Sequence, residues 1–290
     1  MEPITQKDCK VFLEEIEKKK IDVPKFDLTF LDPPFNQGKD YPSNKDNLKH
    51  EDYWNWMTEI CSSVYSNTSD GGCVYFMQRE KNTEHVLKAL REAKWTFQNL
   101  IIWKKMTAAV PIRYGFNKSY QIIAFATKGK RPRVFNKLRI NPPLKVTDKY
   151  ERTNGMYISD VWDDIRELTS GYFAGDEPLR DKKGERVHLQ QSPVALLLRI
   201  ILSSTKKGDV VFDPFAGTGT TLVVAKQLDR QPIGVELDGG YKDIIEQRLD
   251  KLRKTDDILR LRKEYTYTKN LNSIWPTSQK SFLDVIDTII

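Results

Sequence analysis

Residues 210–221 read Val-Val-Phe-Asp-Pro-Phe-Ala-Gly-Thr-Gly-Thr-Thr, and three parts with different backbone demands follow one another there. The apolar run predicts a short buried strand over 210–212, and 220–228 has the spacing of a helix. Between them Gly217 and Gly219 let the chain turn tightly and pass close to a ligand, at a helix N-terminus whose first amides lack partners within the helix. A nucleoside-triphosphate loop would end in Gly-Lys-Ser/Thr, which is missing. A dinucleotide fingerprint would need a third glycine at 222, where Leu222 stands. Residues 232–236 read as a second strand ending in Glu236, 17 positions after Gly219. A carboxylate there can accept hydrogen bonds from both hydroxyls of a ribose; without a ligand, the same residues would be a tight turn and a surface glutamate.

Working outward, 193–204 and 241–254 read as helices, which completes a βαβα unit of the kind that forms a right-handed crossover in a parallel sheet. In the first half, Phe12, Leu13 and Ile16 fall at helical spacing within 9–20, and 26–31 (FDLTFL) reads as a short buried strand. Asp32, Pro33 and Pro34 end it, because proline cannot continue a central ladder. Helical patterns at 53–66 and 81–94 flank a strand at 72–77, with further strands at 96–103 and 121–127. This is α/β alternation. From about 130 to 187 the pattern dissolves into Pro, Gly, Asn and charge, an irregular insert of a length usually kept for function. The last segment, 265–290, ends in the apolar run SFLDVIDTII; packing back as a helix and binding a partner both remain open.

With 290 residues the chain can bury a substantial core. Mean hydropathy is −0.57, and the longest apolar stretch, 194–202, is short and interrupted by Arg199, so no membrane span is expected. The first residues are polar and lack an apolar signal region, which predicts a cytoplasmic protein. Cys9, Cys61 and Cys73, with His50, His85 and His188, are too scattered for a metal site or a disulfide frame. The net charge is +7, but the stretch 104–152 holds 13 basic residues against two acidic ones. Tyr114, Phe116, Tyr120, Phe125 and Phe135 interleave with them, which suits phosphates and stacked bases; a merely solvated basic surface is the other reading. Phosphate contacts are expected at Lys39, Lys104, Lys105, Arg113, Lys118, Lys128, Arg131 and Arg133, and base readout between 135 and 172.

Asp32-Pro33-Pro34-Phe35 follows a strand, and its makeup suits a reaction in which the exocyclic amine of a nucleobase is the nucleophile. Such an amine is a poor nucleophile because its lone pair is delocalised into the ring. A carboxylate and a backbone carbonyl aimed at its hydrogens would favour a pyramidal nitrogen and release the lone pair. The prolines would fix the carbonyl, and Phe35 would stack on a base taken out of its helix; Asp-Pro-Pro also serves simply to end a strand.

DPPFNQGKDY at 32–41, FDPFAGTGTT at 212–221 and GVELD at 234–238 together resemble the amino-methylating DNA methyltransferases that use S-adenosylmethionine. The order, proline corner before glycine loop, is similar to the permuted β group, and the resemblance spans about 8–249. It implies a Rossmann-like α/β methyltransferase fold with a mostly parallel, seven-stranded, circularly permuted sheet. The implied layout is a catalytic half at 1–129, a target-recognition insert at 130–187, a cofactor half at 188–254 and a C-terminal extension at 255–290. It implies a catalytic role for Asp32, Pro33, Pro34 and Phe35. Cofactor contacts are implied at Asp213, Pro214, Phe215, Gly217, Gly219, Thr220 and Glu236, and at Ser192 in the segment 188–193, which holds the methionine end. Asp8 matches the acidic residue near the adenine, though an Asp before a helix is also a common N-cap. Double-stranded DNA is the implied substrate, and Asp at the head of the corner points to adenine N6. Cytosine N4, a catalytically inactive DNA-binding protein, and an RNA or glutamine substrate remain open. A cognate restriction endonuclease and a homodimer are the implied partners, with no metal.

Overall fold

The structure, a computed structural model, describes residues 2–38, 40–41, 44–45, 47–106, 112–141, 153–168, 175–188 and 190–276. The first half runs β1 (Ile4–Gln6), α1 (Cys9–Glu17), β2 (Phe26–Leu31), a short hairpin of β3 (Asp40–Tyr41) and β4 (Asn44–Lys45), α2 (His50–Asn67), β5 (Thr68–Arg79), α3 (Thr83–Glu92), β6 (Thr96–Lys104) and β7 (Tyr120–Thr127). Then come the short pair β8 (Arg139–Ile140) and β9 (Met156–Tyr157) and the strand β10 (Val161–Trp162). The second half is α4 (Val194–Ser204), β11 (Val210–Asp213), α5 (Thr220–Gln227), β12 (Gln231–Glu236), α6 (Gly239–Asp250) and, after 3-10 turns, α7 (Leu271–Ile274). Among the described residues no helix is long and apolar enough to cross a membrane.

The main sheet has the order β1-β12-β11-β2-β5-β7-β6-β10. Seven of these strands form the expected mostly parallel sheet, and β10, contributed by the irregular insert, adds an eighth beside β6. Neither β1 nor β10 is legible as a strand in the sequence, because three and two residues are too few to show a period. Every neighbouring pair is parallel except those made by β7, which runs antiparallel to both β5 and β6. Strands β2, β5, β6, β11 and β12 therefore all end at one edge of the sheet, and β7 ends at the opposite one. In open α/β sheets, ligands bind beyond the carboxyl ends of the strands.

Two apolar layers cover the sheet. Helices α1, α2 and α3 pack on one face around Phe12, Met57, Val64 and Leu90. On the other, α4 packs with α5 and with residues of 258–275, and Trp275 is fully buried. Residues 255–276 are thus part of the core, whereas 277–290, which hold the apolar terminal run, lie outside the described residues. Helix α4 is apolar nearly all round, as a helix buried on every side must be. The charge that interrupts it, Arg199, is 1% exposed. Its guanidinium pairs with both carboxylate oxygens of Asp164, donates to Tyr265 Oη at 3.4 Å and lies 5.1 Å from the Trp162 ring. One buried cation thereby ties the insert and the C-terminal segment to α4. Removing one partner of a buried pair leaves the other desolvated and unpaired, so Arg199→Ala should lower unfolding free energy by about 3 kcal/mol in urea titrations. A loss below about 1 kcal/mol would contradict this role.

Candidate active site at the carboxyl edge of the sheet

Strands β2 and β11 lie side by side, with Leu28 opposite Val211 and Thr29 opposite Phe212. Asp32, just past β2, and Asp213, the last residue of β11, therefore reach the same cavity, as does Glu236 at the end of β12. Asp32 Oδ2 accepts a hydrogen bond from Ser192 Oγ at 3.1 Å. Burial, with Asp213 nearby, pushes the Asp32 carboxyl up to about 7, against the pull of Ser192 and the Lys105 ammonium. Burial also raises Asp213 to about 7, although its carboxylate is held by Thr221 and by the Phe215 amide at 3.0 Å. Glu236 is raised by burial as well.

The glycine loop fits a ribose-bearing, cationic ligand. Glu236 stands on the cavity wall, its Oε2 accepting from the Gly217 amide at 2.7 Å and its Oε1 from the Asp238 amide at 3.0 Å. Gly217 has φ +51°, and a Cβ there would come no nearer than 3.9 Å to any atom, so this turn has an open side beside His188. Gly219 answers a further demand that the sequence does not show. It caps α5 at φ +82°, and a Cβ would sit 2.6 Å from Ile245 Cγ1, so helix packing requires the glycine. Asp8 caps α1 through the amides of Lys10 and Val11, at 2.9 and 3.2 Å, and also lines the cavity. Pro214, Phe215 and Thr220 line it too. Asp8, Asp213, Glu236 and Asp238 make one wall acidic, and a bound cation would favour their ionised forms.

Sequence reading missed the groups that brace the proline corner. Tyr53 Oη donates to the Pro34 carbonyl at 2.7 Å, and the fully buried Gln78 donates from Nε2 to Tyr53 Oη at 3.1 Å. The signals were present as a tyrosine on the buried face of α2 and a glutamine within an apolar strand. Pro33 and Pro34 line the cavity, but Phe35 is 5% exposed and is not among the lining residues. The ring is buried beside the corner and does not line the cavity.

The basic run does not form one surface. Lys104 ends β6 at the cavity edge and is exposed, as is Arg113. Lys105 turns inward: its Nζ sits 3.4 Å from the Trp103 ring centroid, and burial lowers its pKa to about 8 although Glu167 and Asp32 favour its charge. Lys118 pairs with Glu80 at 2.7 Å. Because β7 runs away from the cavity, Lys128, Arg131 and Arg133 follow its far end. There Lys128 donates to the carbonyls of Tyr65 and Thr68, and Arg133 bridges Asp27 and Asp209 at 2.9 and 2.7 Å. The basic residues singled out between 104 and 133 thus fall into two sets at opposite ends of the sheet. Phe135 stacks on Phe125, with centroids 5.9 Å apart. Lys39 and, within the expected readout region, 142–152 and 169–172 lie outside the described residues.

The model of the DNA methylase family matches residues 26–247. The Type II methyltransferase M.HpaI of Haemophilus parainfluenzae is 30% identical over 232 residues, covering 80% of this chain and 70% of that protein. The DNA adenine methyltransferase YhdJ of Escherichia coli (strain K12) is 28% identical over 253 residues, covering 81% and 79%. Two solved structures share the fold. The M1.HpyAVI–SAM complex gives a TM-score of 0.59 at 21% identity, covering 86% of this chain and 98% of that one. The cytosine-N4-specific PvuII DNA methyltransferase gives 0.60 at 17% identity, covering 93% and 92%. The family match takes in both the proline corner and the glycine loop that meet at this cavity, and the chain belongs to the N6/N4 DNA methylase family.

Proposed function

We propose that this protein methylates the exocyclic N6 of adenine in double-stranded DNA, after the base is turned out of the duplex into the cavity beside Asp32. That the chain is an S-adenosylmethionine-dependent DNA methyltransferase acting on adenine N6 or cytosine N4 follows from its family. The observation that carries the site assignment is the convergence of Asp32, held by Ser192, and the Glu236–Gly217 loop on one cavity. The choice of adenine is supported by the acidic head of the corner and by the named activity of YhdJ.

S-adenosylmethionine, when bound, supplies a methyl group on a positively charged sulfur. Glu236 would take the ribose hydroxyls, Gly217 would allow close approach, and Asp213 and Asp8 would complete the acidic wall, with Pro214, Phe215 and Thr220 shaping the loop. Ionised Asp32 accepts one amine hydrogen of the target base. Tyr53 occupies the Pro34 carbonyl, so the second acceptor is the carbonyl of Pro33, fixed by the two rings. Together they draw the nitrogen lone pair out of conjugation, and the proton lost after transfer leaves through Asp32. Exposed Lys104 and Arg113, with Lys118, would contact phosphates at this edge, and residues 130–187 would read the sequence. The Type II relatives support a restriction endonuclease as partner in the cytoplasm, with a homodimer as a further expectation of the family.

Incubation of unmethylated DNA with the protein and S-adenosylmethionine, followed by nucleoside mass spectrometry, should yield N6-methyladenine. N4-methylcytosine would move the target and keep the mechanism, and no methylated base would overturn the reading. Asp32→Ala should slow transfer by about a thousandfold while calorimetry still detects cofactor binding; retained turnover would remove Asp32 from the reaction. The carboxyls of Asp32 and Asp213 titrate near pH 7 and must be ionised to face a cation. Cofactor affinity should therefore rise between pH 6 and pH 8, with proton release on binding at the lower pH, measured by calorimetry in buffers of different ionisation enthalpy. A flat profile would show that neither carboxyl faces the bound charge.

A further inference from the structure

The segment joining β6 to β7 leaves the sheet at the same edge as Asp32, and its base is closed by a backbone bond from the Lys105 amide to the Ser119 carbonyl at 2.6 Å. At its tip, Phe116 is 98% exposed and Tyr114 is 86% exposed. Ile112 and Met106, on the same segment, are also exposed. A scattered apolar side chain on a surface is ordinary, but four on one segment are a patch with no part in the core.

The turn is built, not loose. The Ile112 amide donates to Asn117 Oδ1 at 3.4 Å across the tip. A Cβ on Gly115 would lie 3.2 Å from Ile112 Cδ1, so the two sides of the turn are close together. Lys118 is moored to Glu80 at 2.7 Å, and the Arg113 guanidinium lies 5.2 Å from the Tyr114 ring centroid. Tyr114 already has a companion in Arg113, whereas the Phe116 ring touches almost nothing of the protein.

Its position relative to the acceptor corner is set by the sheet. Strand β7 is two places from β2, which is about 10 Å at the usual strand spacing, and the major groove of DNA is about 12 Å wide. A duplex whose base enters the cavity beside Asp32 would thus pass over the 112–118 turn, with the cations Lys104 and Arg113 facing its phosphates. Drawing one base out of a stack costs free energy and leaves a gap that apolar and aromatic side chains fill in other DNA-deforming proteins.

From these observations we infer that the 112–118 turn is an aromatic wedge, in which Phe116 enters the stack in place of the extruded base while Arg113 and Tyr114 rest against the flanking backbone. The inference rests on the DNA methyltransferase reading and adds the device that opens the duplex.

The test uses the full chain and a duplex containing a position that the wild-type protein has been shown to methylate. A second duplex is identical except for an abasic site opposite the target base, which opens the pair beforehand. On the matched duplex, Phe116→Ala should methylate roughly ten- to a hundredfold more slowly than wild type, and Phe116→Trp should keep most of the rate. On the abasic duplex, Phe116→Ala should come within about threefold of wild type, because the target base has no pairing partner left to be separated from. Thermal unfolding of the variant should match wild type, since the ring is exposed. An equal loss on both duplexes, or no loss on either, would overturn the wedge while leaving the enzyme's activity established by its own turnover. Absence of methyl transfer to any DNA by wild type would overturn the underlying reading, and the wedge with it.

Discussion

The site depends on the pairing of two strands that are far apart in the chain. β2 and β11 meet in parallel register, and the contact is fixed at its far end by Arg133, whose guanidinium bridges Asp27 at the start of β2 and Asp209 just before β11. The Val210 amide also donates to Asp27 Oδ2 at 2.9 Å. Strands locked at one end must finish together at the other, and so the proline corner and the glycine loop open onto a common space. A residue with the composition of a DNA contact is in this way a structural clamp beneath the site.

The arrangement at the top carries an electrostatic penalty. Asp32 and Asp213 sit in a buried cavity with few compensating donors, and both are shifted toward the neutral form. A protein selected for stability alone would not place carboxyls there. A cationic ligand answers that penalty, which gives the acidic wall a reason that the fold by itself does not supply.

Much of this was legible in the sequence, and the failures have physical causes. The apolar-rich six-residue run of β2, the mostly apolar α4 and the glycine turn all combine a strong pattern with clear stop signals, and each falls where periodicity puts it. Strands β1 and β10 escaped because their pairing, not their composition, makes them strands. The division of the basic run was not legible because composition does not encode direction: the reversal at β7 separates Lys104 from Arg133 by the length of the sheet. Lys105 has the same side chain as Lys104 and one more position of alternation, which turns it onto Trp103 and toward Asp32. Gly219 is marked as special by the sequence, but its packing against Ile245 is not legible there, because the partner lies on a later helix.

Arg199 has a consequence for how such enzymes diversify. The irregular 130–187 stretch is joined to α4 through Trp162 and Asp164, both gathered by a cation buried in that helix that also reaches Tyr265. An exchange of this stretch between relatives is therefore not a swap of independent modules. A graft that carries Trp162 and Asp164 needs an arginine waiting in the acceptor's helix, and one that lacks them leaves that arginine charged and unpaired in the core. Inheritance of a new insert is coupled, through one guanidinium, to the sequence of α4 and of the C-terminal segment.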